Sequence, residues 1–324
     1  MVQRPRTLQA FSPKEFAYAH QLLATRVAFM MGRKLEEGDW AHVYCIAKNI
    51  PYVGWSNLNI DVMHNGLGVE HKMLRQPSDK PLRDICGTRL MHPAATRSIR
   101  IPSLDSLPNE AMSDVLTQYA DFLGERRKLV SEKARGAQAD MRTGWLLWQA
   151  NLQEFLYFEE ETILPDPQDY FAEWKESGGG SRKASKNLWV YEKETGQKRY
   201  SITTAAGAKI QPYFDVPPPS DPNLYYFKVQ GEELTNGLVR IWVTTATERE
   251  LRRLVGDLTV ENIGLVIESA ATEPVARNPE RITQNEEAKE ILLALESYEL
   301  LAASFPGVSD EHMIQLLIQR LSSL

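Results

Sequence analysis

The sequence predicts a mixed α/β fold, and two observations carry that prediction. Amphipathic stretches with their own start signals stand at both ends of the chain. Between and among them lie short runs of β-branched and aromatic residues bounded by turn signals. The 324 residues, 43% hydrophobic and 25% charged, have an ordinary globular balance and suffice for one large domain or two of ordinary size.

The first element is a helix within "SPKEFAYAHQLLATRVAFMMGRK", residues 12–34. Ser12 serves as N-cap, Pro13 takes the first helical position and Glu15 completes a capping box. A second helix is expected from near Asp39 through "WAHVYCIAKNI". Residues 57–74, "NLNIDVMHNGLGVEHKML", then read as two strands around an Asn65–Gly66 turn. Residues 75–102 are basic, with a local net charge of +4.

Residues 108–135 and 140–162 read as two helices. The second carries Trp145, Leu146, Trp148, Leu152, Phe155 and Leu156, which suits core or subunit packing. The Gly/Ser/Lys segment 177–187 is expected to be a linker or mobile loop. It would divide a domain over 1–176 from a β-rich region with C-terminal helices over 188–324. "SGGGSRK" lacks phosphate-loop spacing.

Beyond it, a hairpin around Glu194–Gln197 and strands in "AKIQPYFDV", "LYYFKV" and "GLVRIWVTT" are expected. "TATERELRRLVG" reads as a helix with a capping box from Thr247 to Glu250. "NEEAKEILLALESYELLAASF" and "SDEHMIQLLIQRLSSL" read as amphipathic helices.

Net charge is -6, but it is uneven. The tail, 257–324, holds twelve acidic and four basic residues, a net of -8, which leaves about +2 for the rest. Cys45 and Cys86 stand in no metal-ligand spacing, as expected for a reducing compartment. They read as small hydrophobes. No secretory leader or membrane-spanning run is apparent, which predicts an intracellular protein.

The chemistry concentrates in the 57–74 hairpin. Side chains alternate along a strand, so Glu70 and Lys72 share one face while Val69, His71 and Met73 share the other. The turn folds the preceding strand back and can bring Asp61 to Glu70. Two carboxylates suit Mg²⁺, which wants hard oxygen ligands and keeps several waters; the His71 main-chain carbonyl can add a third ligand. A metal so held polarises a phosphodiester and activates water. Lys72 can orient that water or stabilise the transition-state charge.

Asp61–x8–Glu70–x–Lys72 across a β-turn resembles the PD-(D/E)XK nuclease superfamily, which includes most type II restriction endonucleases. The matched part is residues 12–74, and Ile60 stands where the family name has proline. The resemblance implies a restriction-endonuclease-like mixed sheet flanked by helices and a cytoplasmic, prokaryotic enzyme. It also implies catalysis by Asp61, Glu70 and Lys72 with Mg²⁺, and a homodimer cutting double-stranded DNA. A glutamate from an early helix often joins such sites; Glu15, Glu36 and Glu37 are candidates.

Glu–x–Lys alone is a chance-level pattern. Glu173–Lys175 and Glu287–Lys289 match it too, in segments that read as helical. The alternative for Glu70 and Lys72 is a solvated ion pair. Expected DNA contacts are Arg75, Arg89, Arg97, Arg100, Lys198 and Arg199; the alternative is ordinary surface pairing. Gly87, Thr88 and Thr96 can add neutral phosphate contacts. His64, His71 and His92 fall near the site and read as structural, with a histidine base as the alternative. The aromatic, basic 183–256 region reads either as a target-reading module or as a β core. For the whole chain, a non-catalytic DNA-binding protein and a repair or junction nuclease stay open.

Overall fold

The computed structural model describes residues 5–30, 34–52, 60–93, 99–101, 103–134, 138–177, 185–204, 209–270 and 287–322. The mixed α/β class expected from the sequence is what the chain adopts. Strand β1 (Thr7–Leu8) leads into α1 (Pro13–Ala28). The predicted capping box is present: the Glu15 N–H donates to Ser12 Oγ at 3.4 Å and Glu15 accepts the Ser12 N–H at 2.6 Å. Helix α2 (Glu37–Ala47) follows, then the hairpin β2 (Val62–His64) and β3 (Leu67–Gln76).

Next come β4 (Arg89–Met91), the long helix α3 (Pro108–Glu132), β5 (Asp140–Gln149) and β6 (Glu154–Glu161). The central sheet runs β1-β6-β5-β3-β2. Strands β3 and β5 are parallel from Leu67↔Asp140 to Gln76↔Gln149, joined by a crossover that includes α3; its other pairings are antiparallel. The sheet is therefore mixed.

Residues 140–162 are thus two strands, not the helix expected. The reason is burial on both faces. Leu146, Trp148, Phe155 and Tyr157 pack on the side of α1 and α2, against Trp40 and Tyr44. Trp145, Leu147, Leu156 and Phe158 pack on the other side, against Leu82, Phe214 and Val216. Strands covered on both faces lose the apolar–polar alternation, and periodicity then cannot separate them from a buried helix. Each fully buried Leu or Phe stabilises the fold by roughly 1.5–3 kcal/mol. This segment is interior, as core packing requires.

A second sheet contains β7 (Tyr170–Ser177), β8 (Ser185–Glu192), β9 (Lys198–Thr203) and β10 (Lys209–Asp215), in the order β4-β10-β9-β8-β7. Ala111, Met112, Val115 and Leu116 of α3 pack on its inner face against Leu188, Val190, Ile202 and Ile210. The boundary expected at 177–187 falls inside the β7–β8 pair, where Ser177 lies opposite Ser185; residues 178–184 lie outside the described ones. Strand β11 (Tyr225–Lys228) then returns to pair with β6. The two halves of the sequence therefore share the central sheet.

A third sheet, β12 (Glu232–Glu233), β13 (Leu238–Thr244) and β14 (Ala288–Ala294), packs with α4 (Thr245–Val255), α5 (Val260–Ala270), α6 (Leu295–Ser304) and α7 (Asp310–Ser322) around its own core. Two expectations change here. The segment read as one helix from Asn285 begins with β14, and only Leu295–Ser304 is helical within it. The N-cap of α4 is Thr244, whose hydroxyl accepts the Thr247 N–H, rather than Thr247. Among the described residues no helix is long and apolar enough to cross a membrane.

Candidate active site

The Asn65–Gly66 turn forms as its residue types dictate. Both adopt positive φ, 46° and 84°, as a two-residue type I′ hairpin loop requires. The register Val62↔Val69 and His64↔Leu67, carried one step further, sets Asp61 across from Glu70. Asp61 Oδ2 accepts the His71 N–H at 2.7 Å. Glu70 Oε1 accepts from Lys72 Nζ at 2.7 Å. The three residues singled out by the sequence therefore converge on one hairpin.

Alternation also holds. Val69 and His71 are buried and Met73 is half-buried. Val69 and Met73 join the core on the α1–α2 side, and the His71 ring lies among Trp40, Tyr44 and Tyr157. Burial pushes the His71 pKa down to about 3, so the ring is neutral. Only the His71 main chain is left to act as the expected metal ligand. His92 Nε2 donates to the Met73 carbonyl at 2.9 Å and is buried, while His64 contacts the adjacent Asn65.

Glu70 and Lys72 face the opposite side, into a cavity of about 140 Å³ between the central sheet, α3 and the second sheet. Arg126 of α3 also lines it and ion-pairs with Glu70. Burial pushes the Glu70 carboxyl up, but Lys72 and Arg126 outweigh it and leave its pKa below the ordinary value. Asp61 behaves oppositely. Burial and the charge of Glu70 raise it to about 7, against the His71 N–H and Lys72. Glu37 at the start of α2 adds repulsion.

Of the three helix acids, Glu15 caps α1, and Glu36 and Asp39 cap α2, while Glu37 adds a small repulsion to Asp61. Two further residues were not legible in the sequence. Arg126 comes from the crossover. Glu160 lies in one row with Glu70 and Thr143, through the pairings Glu70↔Thr143 and Thr143↔Glu160, and lines the same cavity. It accepts from Trp145 Nε1 at 2.8 Å, and burial raises its pKa to about 7.

The donor chemistry fits a divalent cation. Asp61 is a half-buried carboxyl raised first by desolvation and then by the Glu70 carboxylate, and a cation beside them would offset both. Among the described residues no group of three or more His, Cys, Asp and Glu gathers at a metal-binding spacing, so the chain would supply few ligands and water the rest.

The other Glu–x–Lys matches differ in setting. Glu173 and Lys175 stand on β7, not on a helix, as a 2.8 Å pair close to half exposed. Lys289 stands on β14. Neither lines the cavity.

The expected DNA contacts scatter. Arg75 is exposed and lies over the Trp148 ring, and Arg100 is exposed. Arg89 pairs with Asp215 at 2.6 Å. Arg199 is buried, paired with Glu192 and with Asp215; its charge is neutralised inside the protein, which corrects its assignment to a DNA surface. Lys198 lies over Trp189. Arg97 and Thr96 lie outside the described residues. Cys45 is buried and Cys86 half-buried, both free thiols.

Comparison of the chain with protein-family models, with curated proteins and with solved structures finds no match.

Proposed function

We propose that the chain is a Mg²⁺-dependent endonuclease that hydrolyses phosphodiester bonds of double-stranded DNA, in the manner of a type II restriction enzyme. The observation that supports it is the convergence of Asp61, Glu70 and Lys72 on one hairpin strand pair beside a cavity. Asp61 and Glu70 would hold the metal, with the His71 carbonyl as the third protein ligand. The bound ion would supply Lewis-acid stabilisation and an acidified water.

The chain's own groups do the rest. Lys72, 2.7 Å from Glu70, orients the attacking water or meets the charge growing on the phosphoryl oxygens. Arg126 keeps Glu70 ionised and adds positive charge to the cavity wall. The exposed Arg75 and Arg100 are the remaining phosphate contacts of the basic 75–102 segment. Cutting both strands of a symmetric site calls for a homodimer, and a cytoplasmic setting follows from the same reading.

The test is purified protein on mixed supercoiled and linear DNA, with and without Mg²⁺. Glu70→Gln and Lys72→Ala should each lower cleavage by about 10²–10³-fold while the protein stays folded. Cleavage unchanged in both variants would overturn the site. Sequencing the cut ends would then give the target.

A second reading, a non-catalytic DNA-binding protein, is favoured by one observation: Glu70 is held between two cations, as in a structural ion cluster. It predicts salt-sensitive DNA binding with no metal-dependent cutting.

A further inference from the structure

The second sheet has two unlike faces. Its inner face is the apolar layer under α3. Its outer face carries odd-numbered residues of β7, β8 and β10 and, past a register shift at Val190/Tyr191, Lys198 of β9, and these form rows. Phe171 lies opposite Tyr191, which lies opposite Lys198. Glu173, Trp189, Ser201 and Gln211 form the next row. Lys175, Asn187, Thr203 and Lys209 form a third. Phe171, Trp189, Tyr191 and Tyr213 are all half-exposed, although large aromatics are usually covered when no ligand needs them.

The rings are organised. Phe171 and Tyr191 stack at 5.2 Å with planes 17° apart. The Lys198 ammonium lies 3.3 Å from the Trp189 centroid and 5.2 Å from that of Tyr213. Lys175 stands 5.9 Å from the Trp189 centroid. Among the described residues no carboxylate pairs with Lys198, and desolvation over the rings lowers its pKa to about 8.

We infer that this face binds single-stranded nucleic acid, with bases stacked on Trp189, Tyr191 and Tyr213 and phosphates neutralised by Lys198 and Lys209. Trp189 and Tyr191 are roughly 7 Å apart along one strand, far enough for each ring to take its own base. Aromatic faces interleaved with cations are the chemistry that holds single strands without reading sequence. A phosphate would draw Lys198 off the indole and leave that ring to a base. Base pairs in a duplex bury their faces against each other, so double-stranded DNA cannot use the rings. A neutral oligosaccharide could stack on them but would leave Lys198 without its counterion.

The inference extends the nucleic-acid reading to a partner strand. It is separable from cleavage, because Trp189, Tyr191, Lys198 and Lys209 do not line the Glu70–Lys72 cavity. The experiment is fluorescence anisotropy on the full chain without Mg²⁺, using labelled oligo-dT and oligo-U of about fifteen residues, a duplex of equal length and a neutral oligosaccharide. Binding of a single strand at least tenfold tighter than the duplex is expected. The dT and U arms distinguish DNA from RNA.

Trp189→Ala should weaken binding by about 5-fold to 100-fold, and Trp189→Phe should restore most of it. Lys198→Gln, a surface change, should reduce the salt slope by about 0.7. Lys72→Ala should leave binding intact while lowering cleavage, so the two proposals fail independently. No single-strand binding at about 100 μM protein in low salt, equal affinity for duplex or oligosaccharide, or unchanged affinity in folded Trp189→Ala and Lys198→Gln would overturn the inference.

Discussion

Arg126 on α3 ion-pairs with Glu70 on β3, so the crossover helix is tied to the charged strand it connects to β5. The pair places a guanidinium where the sequence pattern shows only a lysine. It also accounts for a carboxyl that stays ionised although burial opposes it.

Arg126→Ala should therefore lower cleavage about tenfold at the pH optimum. Glu70 would lose one of the two cations that hold its pKa down. The acidic limb of the pH–rate profile should move to higher pH, and a profile with an unmoved acidic limb would show that Arg126 does not act through Glu70.

Glu160 predicts a pH dependence of stability. Its folded pKa, about 7, lies above the ordinary carboxylate value. The folded state therefore binds more protons than the unfolded state between those values, and stability falls as pH rises through that window. The contribution is about 1–3 kcal/mol, lost between roughly pH 4.5 and 7. Glu160→Gln keeps an acceptor for the Trp145 N–H and should flatten this slope in urea melts taken at pH 5 and pH 7.

Arg199→Ala should act on stability, not on DNA affinity. It would leave the buried Glu192 carboxylate without its guanidinium, at a cost of about 3–5 kcal/mol. Thermal denaturation would reveal the loss. A variant of unchanged melting temperature that binds DNA more weakly would return Arg199 to the nucleic-acid surface.

Gly144 sits where a side chain has no room. A Cβ there would fall on Tyr157 Oη and lie 2.8 Å from His71 Nδ1. Gly144→Ala should destabilise the central sheet by about 1–3 kcal/mol, read as a lower denaturation midpoint with an unchanged slope.

What the sequence by itself determined here is local. The capping box at Ser12 and Glu15, the Asn65–Gly66 turn, and the facing of Asp61, Glu70 and Lys72 all depend on neighbours within a few residues or across one tight turn. Turn chemistry and strand alternation suffice to specify them. The tertiary structure decided what depends on long-range pairing. It made 140–162 two strands, because a sheet covered on both faces removes the alternation that marks a strand. It used Glu15 and Glu36 as helix caps. It brought Arg126, Glu160 and the second sheet to the Glu70–Lys72 face, and it turned Arg199 inward. Strand order and crossover placement set those meetings, and no local pattern encodes which distant strands will pair.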